Sequence, residues 1–149
     1  MELFSKLILD NKQTLKGVFA VCMIVAGITH FIAPYPYVKI VPPQLPYPEA
    51  IVYISGFFEI LGGIGLLIPL VSRASAWGLV LLLIAVYPAN INMAVNHIQI
   101  DNVPDSMWFQ AIRLPFQFVL IAWAYWYTKP NQSTSATSYS VASSENSAK

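Results

Sequence analysis

Four stretches of the chain are apolar over about the 20 residues that an α-helix needs to cross the hydrocarbon core of a bilayer. They cover residues 15–32, 50–70, 74–95 and 108–127. Hydrophobic residues make up 56% of the 149 residues and charged residues only 10%, which is too little charge for the surface of a soluble domain. The pattern therefore predicts an all-α, integral membrane four-helix bundle within residues 15–128.

The two ends of the chain are more polar than these stretches. Residues 1–14 place Leu3, Phe4, Leu7 and Ile8 on one helical face, which favours a short helix lying on the membrane surface; a frayed polar tail fits equally well. Residues 129–149 contain too few apolar side chains to fold, so we expect a disordered, Ser-rich tail.

The positions of Lys and Arg predict how the helices are oriented. Only Lys39 lies in the connection between the first and second apolar stretches, whereas the basic residues that flank the other side are Lys6, Lys12, Lys16, Arg73 and Lys129. By the positive-inside rule, both termini should be cytoplasmic. The net charge of +1 and the absence of a dense basic run exclude nucleic acid as a partner. The bilayer, a membrane protein partner or a second copy of the chain are the expected partners.

Glu59 lies near the centre of the second apolar stretch, where a carboxylic acid is costly. Ser55, Gly56, Gly62 and Gly63 share its helical face at spacings of three or four residues. Small residues allow helices to approach closely in a membrane. We therefore expect this small-residue stripe to face protein rather than lipid.

The connection at residues 33–49 contains six of the eleven prolines. Each proline fixes φ and removes a backbone donor, so the pattern predicts a stiff segment of extended or tightly turned backbone. Its tyrosines suit the level of the lipid headgroups. A plain connector at the membrane interface is the simplest interpretation, and a lid or docking surface is the alternative.

Seven polar residues are expected to converge on the outer, non-cytoplasmic half of the bundle. At 1.5 Å per residue, Glu59 lies roughly 13 Å and Arg113 roughly 7 Å below the outer boundary. The predicted pocket consists of His30, Ser55, Glu59, Asn90, Asn92, Arg113 and Gln117. If the protein is an enzyme, Glu59 is the candidate catalytic residue. No metal site is predicted, because one carboxylate and two separated histidines lack the spacing of metal ligands.

Each of these residues also has a purely structural interpretation. Glu59 could be a protonated acid that hydrogen-bonds Ser55 or a carbonyl freed by proline. Arg113 could extend to the outer headgroups instead of acting as the counter-charge of Glu59. His30 could bond a carbonyl rather than relay protons, and the asparagines could serve hydrogen bonding between helices.

Several short motifs resemble the DoxX family of small four-helix membrane proteins. They are GITHF at 27–31, VPPQL at 41–45, SGFFEILGGIGLL at 55–67, AWG at 76–78, PAN at 88–90 and RLPFQ at 113–117. The resemblance implies a multi-pass protein of the bacterial plasma (inner) membrane. Because some DoxX relatives are subunits of thiosulfate:quinone oxidoreductase, it also implies a quinone-linked role.

The leading hypothesis from the sequence is an accessory or lipophile-binding subunit of a membrane redox complex, with a quinone as its ligand and no intrinsic cofactor. Glu59 would exchange a proton or hydrogen-bond the ligand, with Arg113 as counter-charge and His30 as relay. The alternative is a non-catalytic assembly factor or scaffold that docks a partner through the small-residue stripe and the proline-rich connection. A transporter is a weaker option, because no inverted repeat is visible.

Overall fold

The computed structural model describes residues 2–98 and 107–129, with side chains placed for residues 11–98 and 112–129. This part of the chain is helical and contains no strand. Its helices are α1 (Glu2–Ile32), α2 (Tyr35–Ile40), α3 (Pro48–Leu67), α4 (Ser72–Val95) and α5 (Met107–Trp126). The predicted tail from residue 130 onwards lies outside the described residues.

Three helices are long and apolar enough to cross a membrane, which identifies the chain as a membrane protein. The spans are Asn11–Ile32, Pro48–Leu67 and Ser72–Val95, with 22, 20 and 24 residues. Their lengths correspond to roughly 30–36 Å, close to the thickness of a bilayer core. Large hydrophobic side chains remain exposed along their outward faces, where lipid would cover them. That α5 is a fourth span stays a prediction.

The helices pack in an order that follows the chain. α3 lies between α1 and α4, and α5 packs against α4, while the short α2 contacts both α3 and α4. α1 and α5 meet near the α3–α4 turn, where the ring centroids of Phe19 and Trp123 are 4.9 Å apart. Buried apolar side chains fill this end of the molecule, including Phe19, Leu66, Leu79 and Tyr127.

The small-residue stripe of α3 faces neighbouring helices, as its composition predicts. A Cβ atom placed on Gly27 of α1 would lie only 2.6 Å from the carbonyl oxygen of Gly56. A Cβ on Gly63 would lie 2.8 Å from the Ala20 carbonyl oxygen, and one on Gly62 would lie 2.6 Å from Leu79. The stripe is therefore used for close packing of α3 against α1 and α4.

Two segments differ from their expected conformations. Residues 2–14, expected as a surface helix or a tail, continue directly into α1. Part of the proline-rich connection is not extended but forms α2, whose first turn contains a proline. Proline is compatible with the first turn of a helix, because that backbone N–H has no partner within the helix. α2 brings part of the connection against α3 and α4.

Candidate functional site

A cavity of about 320 Å³ lies between the helices at the end where α2 packs. Its walls are mostly apolar, with Met23, Leu83, Val86, Phe116 and Leu120 among them. Six of the seven residues that the sequence singled out also line it: His30, Ser55, Glu59, Asn90, Arg113 and Gln117. The structure thus brings together polar side chains from α1, α3, α4 and α5 around one space.

Glu59 is the most enclosed acidic group of this cavity. The residue is only 6% exposed, and its Oε2 atom is buried without a hydrogen-bond partner. Nδ1 of His30 lies 3.6 Å from Oε2, which is beyond hydrogen-bond length. A buried carboxyl oxygen without a partner is destabilising, so the position costs the fold free energy.

His30 is fixed by contacts within α1 and with α2. Its Nδ1 atom lies 2.9 Å from the carbonyl oxygen of Ala26. Because a carbonyl oxygen only accepts, Nδ1 donates in this contact and carries the proton. The imidazole also stacks on the ring of Tyr37, with centroids 3.9 Å apart, and the Tyr37 hydroxyl lies 2.6 Å from Oγ1 of Thr29. The ring is therefore held from two sides while it faces Glu59.

The hydroxyl of Ser55 donates to the Val52 carbonyl of its own helix, at 2.8 Å. This hydrogen bond occupies the serine proton, and Oε2 of Glu59 makes no hydrogen bond to Ser55. Ser55 and Glu59 both line the cavity, about one turn apart on α3.

Arg113 lines the same cavity but is not the direct ion-pair partner of Glu59. Its Nη1 atom donates to the sulfur of Met93 at 3.1 Å, whereas His30 is the basic residue within 4 Å of Glu59 among the described side chains. The physical reason is the order of helices: α5 packs on α4, so Arg113 reaches α4 first and faces Glu59 only across the cavity. A thioether is a weak acceptor, which leaves most of the guanidinium donors for other groups.

Gln117 and Asn90 occupy the α4–α5 side of the cavity. The side-chain Nε2 of Gln117 donates to the carbonyl of Leu83 at 3.0 Å, five residues before Pro88 in α4. This hydrogen bond joins the two helices, which is a structural role for Gln117. Asn90 is 9% exposed and lies in the cavity wall.

Asn92 is the one residue of the predicted pocket that is not found in the cavity wall. Its Nδ2 atom donates to the Ile40 carbonyl at the end of α2, at 2.9 Å, and its Oδ1 atom accepts from Asn96 at 2.6 Å. Asn92 points toward α2 because it lies beyond Asn90 on another face of α4. Its contacts fit the structural interpretation of the asparagines, since they attach α2 to α4.

One comparison assigns the chain to a family. A family model described as Domain of unknown function (DUF8561) matches residues 19–128. The chain belongs to the DUF8561 family. A search of curated proteins and a search of solved structures each found no match.

The DUF8561 assignment shows that the DoxX identification was wrong. The motifs behind it consist largely of Gly, Pro and small or aromatic residues, which closely packed membrane helices need in many families. The matched range contains every residue that lines the cavity, from Met23 to Leu120. The expectation of a bacterial plasma membrane came from the DoxX resemblance and stays an untested prediction.

Sequence reasoning missed Tyr37, which the structure places in the cavity wall against His30. The three tyrosines of the connection were all assigned to the headgroup level, yet Tyr35 and Tyr47 are 63% and 79% exposed while Tyr37 is half-buried. The sequence signal that indicates the position of Tyr37 is Pro34-Tyr-Pro36, because prolines are common where a helix begins. A helix there places Tyr37 and Ile40 at i and i+3, on one face.

Proposed function

We propose that this DUF8561 protein binds a lipophilic small molecule whose polar head enters the cavity beside Glu59. The observation that carries the proposal is the buried, unpartnered Oε2 atom of Glu59 in the wall of a mostly apolar cavity. Ligand sites are typically apolar with a few convergent polar groups. A hydrogen-bond donor on the ligand would give the carboxyl group of Glu59 a partner inside the cavity.

The chemistry of the cavity favours a head group that both donates and accepts. Glu59 offers a carboxyl group on the α3 side, and Arg113 offers guanidinium donors on the α5 side. The apolar remainder of the ligand would lie along Met23, Leu83 and Phe116. Quinones and quinols fit this description, because the quinone carbonyls accept hydrogen bonds and the quinol hydroxyls also donate them. The ligand proposal stands without a redox complex, whose support was the DoxX resemblance.

The same proposal includes the membrane topology. α5 would be the fourth span, with both termini cytoplasmic and the cavity in the outer half of the bilayer. Two features support it: the groove at the α3–α4 turn is lined by Lys12, Lys16, Arg73 and Lys129, while Lys39 lies at the opposite, cavity end. Cysteine accessibility in intact cells, at Leu45 and at Leu70, tests which end faces outward.

Quinol binding to the purified full chain tests the ligand proposal. We expect the Glu59→Leu variant to bind a short-chain quinol at least about tenfold more weakly than wild type, because it removes the hydrogen bond between the ligand and the carboxyl group. Glu49→Leu is the matched control, since Glu49 is an exposed acid in the first turn of the same helix. Isothermal titration calorimetry in detergent gives the affinities.

A steric test is independent of protonation. Ala89 lines the cavity, so Ala89→Phe should fill it and abolish binding, whereas Ala74→Phe on an exposed face of α4 should not. Wild-type protein that binds neither the quinone nor the quinol would reject this ligand class. Unchanged binding in both Glu59→Leu and Ala89→Phe would reject the cavity as the binding site.

The scaffold alternative has less support than the sequence suggested. Gly56, Gly62 and Gly63 of the stripe pack within the chain, so a partner could reach them only by displacing α1 or α4. The proline-rich connection still presents exposed Tyr35 and Tyr47. Quinone binding remains the function that the geometry supports best.

A further inference from the structure

A second groove, of about 470 Å³, lies at the opposite end of the molecule from the cavity. Four basic residues line it: Lys12, Lys16, Arg73 and Lys129. They come from the N-terminal half of α1, the beginning of α4 and the residues that directly follow α5. Among the described residues that line the groove, none is acidic. Three distant parts of the sequence therefore place positive charge around one space.

Among the described side chains, Lys16 and Lys129 contact neutral groups rather than carboxylates. Lys16 Nζ lies 3.5 Å from the hydroxyl of Ser72, a neutral partner. Lys129 Nζ lies 5.6 Å from the ring centroid of Tyr125, and Lys12 Nζ lies 5.7 Å from that of Trp126. Cation–π contacts orient a basic side chain without neutralising it. The groove thus concentrates positive charge, and aromatic rings lie against two of its lysines.

The groove is at the level where two apolar spans end and begin. Leu67 ends the second span and Ser72 begins the third. Next to the groove, Leu67 is 48% exposed and Leu70 is 93% exposed. An apolar surface directly beside a cationic groove matches the boundary between acyl chains and headgroups, where aromatic and basic residues also concentrate.

We propose that this groove binds the headgroup of an anionic phospholipid. The basic side chains contact the phosphate, and the acyl chains extend along exposed apolar residues such as Leu67. Basic pockets at helix ends on one membrane face are suited to such headgroups. The positive-inside rule accounts for basic residues on this side of the membrane, but it does not require their convergence on one groove. A soluble phosphate compound would gain nothing from the adjacent apolar surface.

This proposal is independent of the ligand of the cavity. It involves other residues, at the other end of the helices, and holds whether or not a quinone binds near Glu59.

Lipid retention by the full chain tests the proposal. The protein is equilibrated with equal amounts of phosphatidylglycerol and phosphatidylcholine, and the retained lipids are counted by native mass spectrometry. We expect wild type to retain phosphatidylglycerol preferentially. Lys16→Gln and Arg73→Gln should each reduce this preference roughly fivefold, the contribution typical of one basic residue near an anionic membrane. The triple variant that adds Lys129→Gln should show no preference.

Lys39→Gln is the control, because it removes an equal charge at the cavity end, where Lys39 Nζ lies 4.8 Å from the Tyr35 ring centroid. Its lipid preference should equal that of wild type. If the triple variant does not fold, the lipid preferences of the two single variants test the proposal. Single variants that retain the wild-type preference, or a Lys39→Gln variant that loses as much, would overturn the proposal. Displacement of the lipid by glycerol phosphate at equal concentration would assign the groove to a soluble phosphate instead.

Discussion

Substitution of Gly27 by Ala should separate α1 from α3. It should also disturb the cavity, although Gly27 does not line it. The new methyl group would lie 2.6 Å from the Gly56 carbonyl oxygen, 2.7 Å from Cγ1 of Ile60 and 3.0 Å from the Ile60 backbone nitrogen. Two of these three atoms belong to the backbone, which cannot rotate away as a side chain can. The helices would have to move apart by nearly 1 Å to restore a normal van der Waals distance.

The expected loss of stability follows from this overlap. Forcing an extra methyl group into a well-packed interface typically costs about 1–3 kcal/mol, and a clash with backbone belongs at the upper end of that range. Replacing Gly by Ala inside a helix would by itself stabilise the helix by about 0.5–1 kcal/mol. A net destabilisation of about 1–2 kcal/mol is therefore expected. His30 and Glu59 lie one turn beyond Gly27 and Gly56 on their helices, so quinol binding should weaken as well.

Thermal unfolding in a fixed detergent, followed by circular dichroism, measures the effect. Gly78→Ala is the matched control, because nothing lies within 4 Å of a Cβ atom at Gly78 and the residue is also helical. Gly78→Ala should be neutral or slightly stabilising. The reasoning about close helix approach would be refuted by a Gly27→Ala variant that is as stable as the Gly78→Ala variant.

Two further variants test individual hydrogen bonds. Asn92→Asp keeps an acceptor for Asn96 but loses the donor to the Ile40 carbonyl. The backbone amides of α2 should therefore exchange with deuterium up to about tenfold faster. Unchanged exchange in α2 would contradict the role of Asn92 in attaching this helix. Gln117→Leu removes the hydrogen bond to the Leu83 carbonyl between α4 and α5 and should lower the free energy of unfolding by about 0.6–1.5 kcal/mol, measured by denaturant titration in detergent. A Gln117→Leu variant of wild-type stability would show that this bond is replaced by another contact.

The helices and the small-residue stripe could be predicted because their causes are local in the sequence. Length, apolar composition and spacing decide whether a segment crosses a bilayer, and the ends of α3 and α4 fall within a few residues of the predicted ones. The cost of a polar group in lipid acts on each residue separately, which is why Glu59 and Gln117 were both expected to point inward. Both are less than 9% exposed.

The pairing of side chains could not be predicted in the same way, because it depends on which helices are neighbours. Depth along the membrane placed Arg113 near Glu59, but depth says nothing about the lateral order of helices. With α4 between α3 and α5, Met93 of α4 is the nearer contact of Arg113. His30, on the helix that packs most closely against α3, takes the position next to the acid.

The position of the cavity follows from the sizes of the side chains at the two ends of the bundle. Near the α3–α4 turn, Phe19 and Tyr127 fill the space between α1 and α5, and both are almost completely buried. Toward α2, the facing positions include Ala26, Ala85 and Ala89, which leave that space unfilled by side chains. A core selected for stability alone would carry larger apolar residues here, since unfilled volume and an unpartnered carboxyl oxygen both destabilise the fold. Alanines and a buried glutamate at the same end instead match the proposed binding site, which needs room for a ligand and a polar group for the ligand to contact.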